Sequence, residues 1–96
     1  VQHFVIERPG GVSVVRRAHV GVVASGNLEV LCDVPSEPRA RIAVTTTVDG
    51  FEAIWRATLE RFLARYEIAA DIELADFGAT PATVTLRLEQ AIELAT

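Results

Sequence analysis

The chain is predicted to form an α+β fold, a two-layer structure in which a mostly antiparallel sheet of four to five strands carries two helices packed on one face. Two observations lead to this. Several short runs between residues 3 and 76 alternate apolar and polar residues, the period-two pattern of half-buried strands. Two other segments, near residues 51–66 and 81–96, repeat their apolar residues at three-and-four spacing, the period of a helix with one buried stripe.

The elements follow in order. Residues 3–7 (HFVIE) form a short strand, and Pro9-Gly10-Gly11 is a turn signal that predicts a hairpin to the next apolar stretch. From Val12 to Val23 the even positions Val12, Val14, Ala18, Val20 and Val22 are apolar, interrupted by Arg16, while the odd side holds Ser13, Arg17, His19 and Gly21. This reads as one half-buried strand. Ala24-Ser25-Gly26-Asn27 then makes a tight hairpin with Ser25 at its tip. Alternation resumes with Leu28, Val30, Cys32 and Val34 on one face and Glu29, Leu31 and Asp33 on the other. Pro35-Ser36-Glu37-Pro38 is a loop, because neither proline can donate to a ladder, and residues 40–48 return to β-branched alternation as a fourth strand.

Phe51, Ile54, Trp55, Thr58, Leu59, Phe62, Leu63 and Tyr66 mark the first helix, with Asp49 as its expected N-cap and Glu52 three residues on. A short strand over 71–76 follows. The strand-helix-strand connection predicts parallel pairing of 40–48 with 71–76 through a right-handed crossover. Near the end, Val84, Leu86 and Leu88 alternate like a strand, while Val84, Leu88, Ala91, Ile92 and Ala95 share a helix face. Thr80 as N-cap and Pro81 at the first helical position favour the helix.

Composition narrows the function. The chain has 96 residues and is 50% hydrophobic but only 6% aromatic, so aliphatic side chains must build a single core over residues 1–96. Lys and Arg number 9 against 13 Asp and Glu, a net charge of −4, which argues against a nucleic-acid partner because nothing neutralises a phosphate backbone. Cys32 is the one cysteine; it excludes an intramolecular disulfide and a thiolate zinc cluster, fits a reducing cytoplasm, and reads as core. No apolar run approaches the roughly 20 residues of a membrane helix, and no signal segment opens the sequence, so the chain reads as cytoplasmic. Methionine is absent even at position 1, which points to a processed start or to numbering inside a longer chain.

Little in the residue pattern carries catalysis. His3 and His19 have no partner at ligand spacing, so no metal site is expected. Neither GxGxxG nor a P-loop occurs, since Gly10-Gly11 fits a turn and Gly21 lies within a strand. The helix carboxylates spread over solvated faces, Trp55 falls in the core stripe, and Arg16 reads as an arginine with a buried stem and a solvated head at the sheet edge. No nucleophile, base and oxyanion donor come together, so a stand-alone enzyme is not expected. Ser25 is the remaining candidate. Ala24 and Gly26 are small neighbours that leave its hydroxyl accessible and the backbone free to bend, although turn chemistry by itself reads it as a turn residue.

With its flanks, the tip says more. Val22-Val23-Ala24-Ser25-Gly26-Asn27-Leu28-Glu29-Val30-Leu31 resembles the hallmark segment of the malonate decarboxylase acyl carrier protein family, the delta subunits. Asp76-Phe77-Gly78-Ala79-Thr80-Pro81 and Arg87-Leu88-Glu89-Gln90 resemble a second block of that family, and the likeness spans nearly the whole chain, weakest over residues 1–15 and the Pro35–Pro38 loop. Asn27 stands where the family commonly has Asp.

The resemblance implies a non-catalytic acyl carrier domain over residues 1–96, whose Ser25 hydroxyl is joined by a phosphodiester to phosphoribosyl-dephospho-coenzyme A, with Gly26 giving the turn its flexibility. The Asp-Ser-Leu motif and helical bundle of ordinary phosphopantetheine carriers are missing, so a different prosthetic-group transferase is implied. The implied partners are that transferase, an acetyl-carrier:malonate transferase subunit that exchanges acetyl for malonyl, and a decarboxylase subunit pair that releases carbon dioxide. A thioester carbonyl can delocalise the resulting carbanion as an enolate, which a free carboxylate does poorly, and the enolate is stabilised by the decarboxylase subunits. The acidic balance suits steering onto basic rims of those subunits, with Glu29 and Asp33 as candidate docking charges. Two alternatives share the sequence evidence: a citrate lyase-type carrier with the same prosthetic group, which the Phe77–Pro81 region resembles less, and an unmodified protein-interaction subunit.

Overall fold

The computed structural model describes all residues from Val1 to Thr96. Its strands are β1 (Gln2–Pro9), β2 (Val12–Ser13), β3 (Ala18–Val20), β4 (Leu28–Asp33), β5 (Arg39–Thr46) and β6 (Ile68–Asp76), and its helices are α1 (Glu52–Arg65) and α2 (Pro81–Ala95). The main sheet runs β1-β5-β6-β4-β3, with β2 attached to the start of β6. Pairs β1/β5, β4/β6 and β3/β4 are antiparallel, while β5/β6 and β2/β6 are parallel. The α+β class and the mostly antiparallel sheet agree with the sequence reading, as does the parallel pairing across α1; the sheet is larger, with six strands.

Alternation places Phe4 and Ile6, Leu28, Val30 and Cys32, Ala40, Ile42 and Val44, and Ile72 and Leu74 on one face, where they form a single core with Trp55, Leu59, Phe62 and Leu63 of α1 and Val84, Leu88, Ala91 and Ile92 of α2. The other face stays open to solvent. No helix is long and apolar enough to cross a membrane. Helix α2 starts as predicted, with the Thr80 hydroxyl accepting from the Thr83 N–H and Pro81 in the first turn. Helix α1 differs, because Phe51 occupies the N-cap with no side-chain cap, and Asp49 instead lies 3.4 Å from the amino group of Val1.

Three expectations about the first third of the chain are corrected. The 3–7 segment does not form a hairpin with the next stretch; β1 pairs with β5 from Gln2↔Thr46 to Pro9↔Arg39. The stretch 12–23 is not one strand. Gly10 donates to the Pro38 carbonyl, β2 pairs with Ile68 and Ala69, and Val15 and Arg16 donate to the Ala95 carbonyl before β3 begins beside β4. The segment thus crosses the end of the sheet from one edge to the other, leaving Val14 buried and Arg16 exposed. Apolar alternation specifies which face a residue occupies but not which strand lies next to it, so the turn signal at Pro9-Gly10-Gly11 was met by a crossing instead of a hairpin. Finally, the connection between β3 and β4 is the seven-residue loop 21–27, wider than a tight tip, and Val22 and Val23 are exposed instead of continuing an inward face.

Candidate functional site

Ser25 lies at the carboxyl ends of the parallel strands β5 and β6, because β4 begins there, with Leu28 opposite Asp76 and Asp76 opposite Thr46. This is the end of an α/β sheet where helix N-termini and connecting loops gather and where ligands are commonly held. The loop is closed at its neck by Gly21, whose φ of +86 and close approach to Leu28 leave no space for a side chain: a Cβ would stand 2.0 Å from the Leu28 carbonyl oxygen.

At the loop's far end the Asn27 N–H donates to the Ala24 carbonyl at 3.0 Å, a β-turn with Ser25 and Gly26 at its centre. Gly26 has φ +73, the left-handed value that the third position of a type II turn requires and that favours glycine. Gly26 is therefore needed for the turn's shape. Two further backbone bonds tie this turn to β6: Gly26 N–H to the Phe77 carbonyl at 2.7 Å and Phe77 N–H to the Asn27 carbonyl at 3.0 Å. Ser25 itself is exposed, and the side-chain bonds around the turn are made by its neighbours.

Beneath the turn, the buried Asp76 carboxylate accepts from the Thr46 hydroxyl at 2.8 Å and from the Ala79 N–H at 2.9 Å. It therefore shapes the Phe77-Gly78-Ala79 segment that receives the Ser25 turn. Beside it lies an apolar cleft of about 270 Å³ between the N-terminal ends of α1 and α2, lined by Phe51, Ile54, Trp55 and Val84 with Gly78 at its edge. Arg87 of α2 reaches the turn from another side. Its Nη2 is 3.5 Å from Asn27 Oδ1, a long contact, and its Nε is buried with no hydrogen-bond partner.

Most of the chain matches a known family. The pattern of the family described as malonate decarboxylase delta subunit (MdcD) matches residues 15–95, which include the Ser25 turn, Asp76 and Arg87. The chain belongs to this family of acyl carrier subunits of malonate decarboxylase. Among its relatives are the malonate decarboxylase acyl carrier protein of Xanthomonas euvesicatoria pv. vesicatoria, 54% identical over 79 residues covering 80% of this chain and 75% of that protein. The protein of the same name from Azotobacter vinelandii is 47% identical over 88 residues, 91% of this chain and 89% of its own. A chain in the crystal structure of a Pseudomonas malonate decarboxylase hetero-tetramer in complex with malonate superposes with a TM-score of 0.93 at 38% identity, covering 100% of both chains.

Within this delta-subunit fold the other residues singled out from the sequence fall elsewhere. Glu29 and Asp33 do lie on the open face, but both are engaged: Glu29 Oε2 is 3.0 Å from His19 Nε2, and Asp33 Oδ2 is 2.8 Å from Arg17 Nη2. The hydrogen bond from Arg17, with a second from the Val34 N–H, holds the Asp33 carboxyl below the usual carboxylate range. Asp33 also sits at the opposite end of β4 from Ser25. Cys32 is fully buried, and burial pushes its thiol up to about 11, so it is no nucleophile. Asp76, Gly78 and Arg87 were visible only as members of the blocks that carry the family resemblance; nothing in their local pattern marked them, because the contacts that tie them to this end of the sheet, to Thr46, Gly26 and Asn27, are distant in sequence.

Proposed function

We propose that this chain is a covalently modified carrier: the Ser25 hydroxyl is joined by a phosphodiester to phosphoribosyl-dephospho-coenzyme A, and the loaded chain visits the acyl transferase subunit and the decarboxylase pair in turn. One observation carries the reading. An exposed serine hydroxyl sits on a turn whose neighbours, not itself, are pinned to the sheet by Gly26, Asn27 and Phe77.

The residues present fit the group. A phosphodiester at Ser25 would put an anion on the turn that Arg87 reaches at Asn27; that guanidinium has only neutral amide contacts, at Asn27 and Gln90, and one buried N–H left unsatisfied. Arg87 would hold that phosphate by charge-assisted hydrogen bonds, which are stronger than its present long contacts. Once attached, the group supplies a terminal thiol that carries acetyl and malonyl as thioesters. Ser25 contributes the oxygen of the phosphodiester: it attacks the α-phosphorus of the triphosphoribosyl donor, the phosphoanhydride bond breaks and diphosphate leaves, and the proton it gives up goes to a base of the modifying transferase, since no side chain of this chain is hydrogen-bonded to the hydroxyl. The fixed turn gives the arm one point of departure, so delivery to partner sites becomes an encounter at high effective concentration wherever the arm spans the distance. Glu29 and Asp33 are proposed as docking charges for the partners, on the open sheet face.

Intact-mass measurement tests this. Protein made together with the triphosphoribosyl-dephospho-coenzyme A synthase and transferase is expected to gain the mass of the prosthetic group, and Ser25→Ala is expected to lose that gain entirely while melting at the wild-type temperature. No gain with active machinery, or a Ser25→Ala chain that still supports malonate decarboxylation, refutes the carrier reading and leaves an unmodified interaction subunit.

A further inference from the structure

The apolar cleft between the helix N-termini has no part in the attachment chemistry, yet it opens beside the attachment turn. We propose that it receives the adenine base of the prosthetic group tethered at Ser25, an inference that rests on the carrier reading. Position is the first argument. Gly78 lines the cleft, and the Gly26 Cα is 3.8 Å from where a Gly78 Cβ would stand, so the turn is a direct neighbour of the cleft's wall.

The tether is the second argument. Only a phosphate and two ribose rings separate the serine oxygen from the base, whereas the thiol lies beyond a further diphosphate and the whole pantetheine. The base is thus the first flat, weakly hydrated part of the arm that can turn back onto its carrier. The lining supplies the third argument. Phe51, Ile54, Trp55 and Val84 offer apolar and aromatic surface, there is no Lys or Arg, and Asp76 is the single charged residue. A diphosphate is repelled by that carboxylate, while a purine brings π faces to the aromatic wall and an exocyclic amine that can donate to a carboxylate oxygen. A cleft of about 270 Å³ suits one bicyclic base and not the remainder of the arm.

Docking also covers apolar surface that is otherwise wet, because Phe51 and Ile54 are 47% and 49% exposed. A docked base fixes the near half of the arm on this chain and leaves the pantetheine to sweep towards the partners, lowering the entropy lost each time the thiol enters a partner site.

Trp55 is the one tryptophan and reports on the cleft directly. The test uses full-length chain loaded by the transferase, with loading verified by intact mass. Loading is expected to reduce Trp55 emission and to give nuclear Overhauser contacts between the adenine H2 and H8 protons and the methyl groups of Ile54 and Val84. Phe51→Ala, at a half-exposed position, should leave the mass gain intact and lower the docked-to-free ratio roughly fivefold. A fully loaded chain whose Trp55 emission and cleft resonances equal those of the unloaded chain overturns the proposal. So does a cleft that responds only to rising concentration of unloaded chain, the mark of a second copy, or only to addition of the other subunits, the mark of a partner segment. Absence of any mass gain refutes the carrier reading itself and is a separate result.

Discussion

The two ends of β4 are built by opposite means. At its N-terminal end the Ser25 loop is held by backbone hydrogen bonds and glycines, with no ion pair, and leaves Val22, Val23 and the serine exposed. At its C-terminal end the sheet is held by charge. Arg39 lies 2.8 Å from Asp71, 3.1 Å from Glu7 and 3.5 Å from Glu37, and Arg17 pairs with Asp33. The difference has a physical logic. Backbone bonds fix a loop's shape without committing its side chains, so the Ser25 end keeps its surface and the Arg87 guanidinium available, while the far end uses its charges to fasten long connections such as residues 10–17 and 34–38.

Substitutions at each end test the contrast, the largest effect coming from the loop's neck. Gly21→Ala must accommodate a Cβ against the Leu28 carbonyl in a left-handed backbone, and is expected to cost about 3 kcal/mol in chemical denaturation. Gly26→Ala, equally left-handed but with nothing within 4 Å of a Cβ, should cost only about 1 kcal/mol. Equal costs would show that the neck is not what closes the loop. Asp76→Ala leaves the Thr46 hydroxyl and the Ala79 N–H without their partner and is expected to cost about 2 kcal/mol; it should also raise hydrogen exchange at the Gly26 and Phe77 amides, which a merely local effect leaves unchanged.

The charged end should respond to pH instead. Arg39, by its hydrogen bond, holds the Asp71 carboxyl below its ordinary range. A carboxylate with a lowered native pKa adds stability above its unfolded value of about 4, and that contribution fades as pH falls through the native value. Asp71→Asn is therefore expected to melt slightly below the wild type at pH 7, with the gap closing on acidification. A constant gap across melting curves from pH 7 to the acid limit would remove the ion pair from the account. The smallest effect is expected for joint charge reversal of Glu29 and Asp33: slower malonate turnover by the assembled complex at low salt, merging with wild type as salt is added. Unchanged turnover at low salt would free the open face from any docking role.

How far the site could be read from the chain varies residue by residue. The Ser25-Gly26 turn was legible because small and flexible residues interrupt two alternating runs, and the carrier role proposed for it rests on likeness to a family and not on its local pattern. The α2 start at Thr80-Pro81 was legible because capping is local chemistry. The α1 cap was not, because the N-cap falls two residues beyond Asp49, at Phe51, with no side-chain bond there. Phe51 and Ile54 share the helical stripe with Trp55, so they read as core, yet they are half exposed because the stripe runs past the sheet into the cleft.

Periodicity, capping and composition thus settled the two helices, the α2 start, most of the core strands and the aliphatic core. Those are properties of neighbouring residues, and neighbours in sequence are enough to express them. The folded chain alone decided that β1 lies against β5, that residues 10–17 cross the sheet's end, and that Phe77 and Arg87 meet the Ser25 turn, the latter contact joining positions 60 apart. Strand edges and buried polar groups accept any partner of suitable geometry, so only the packing of the whole chain selects which partner they find.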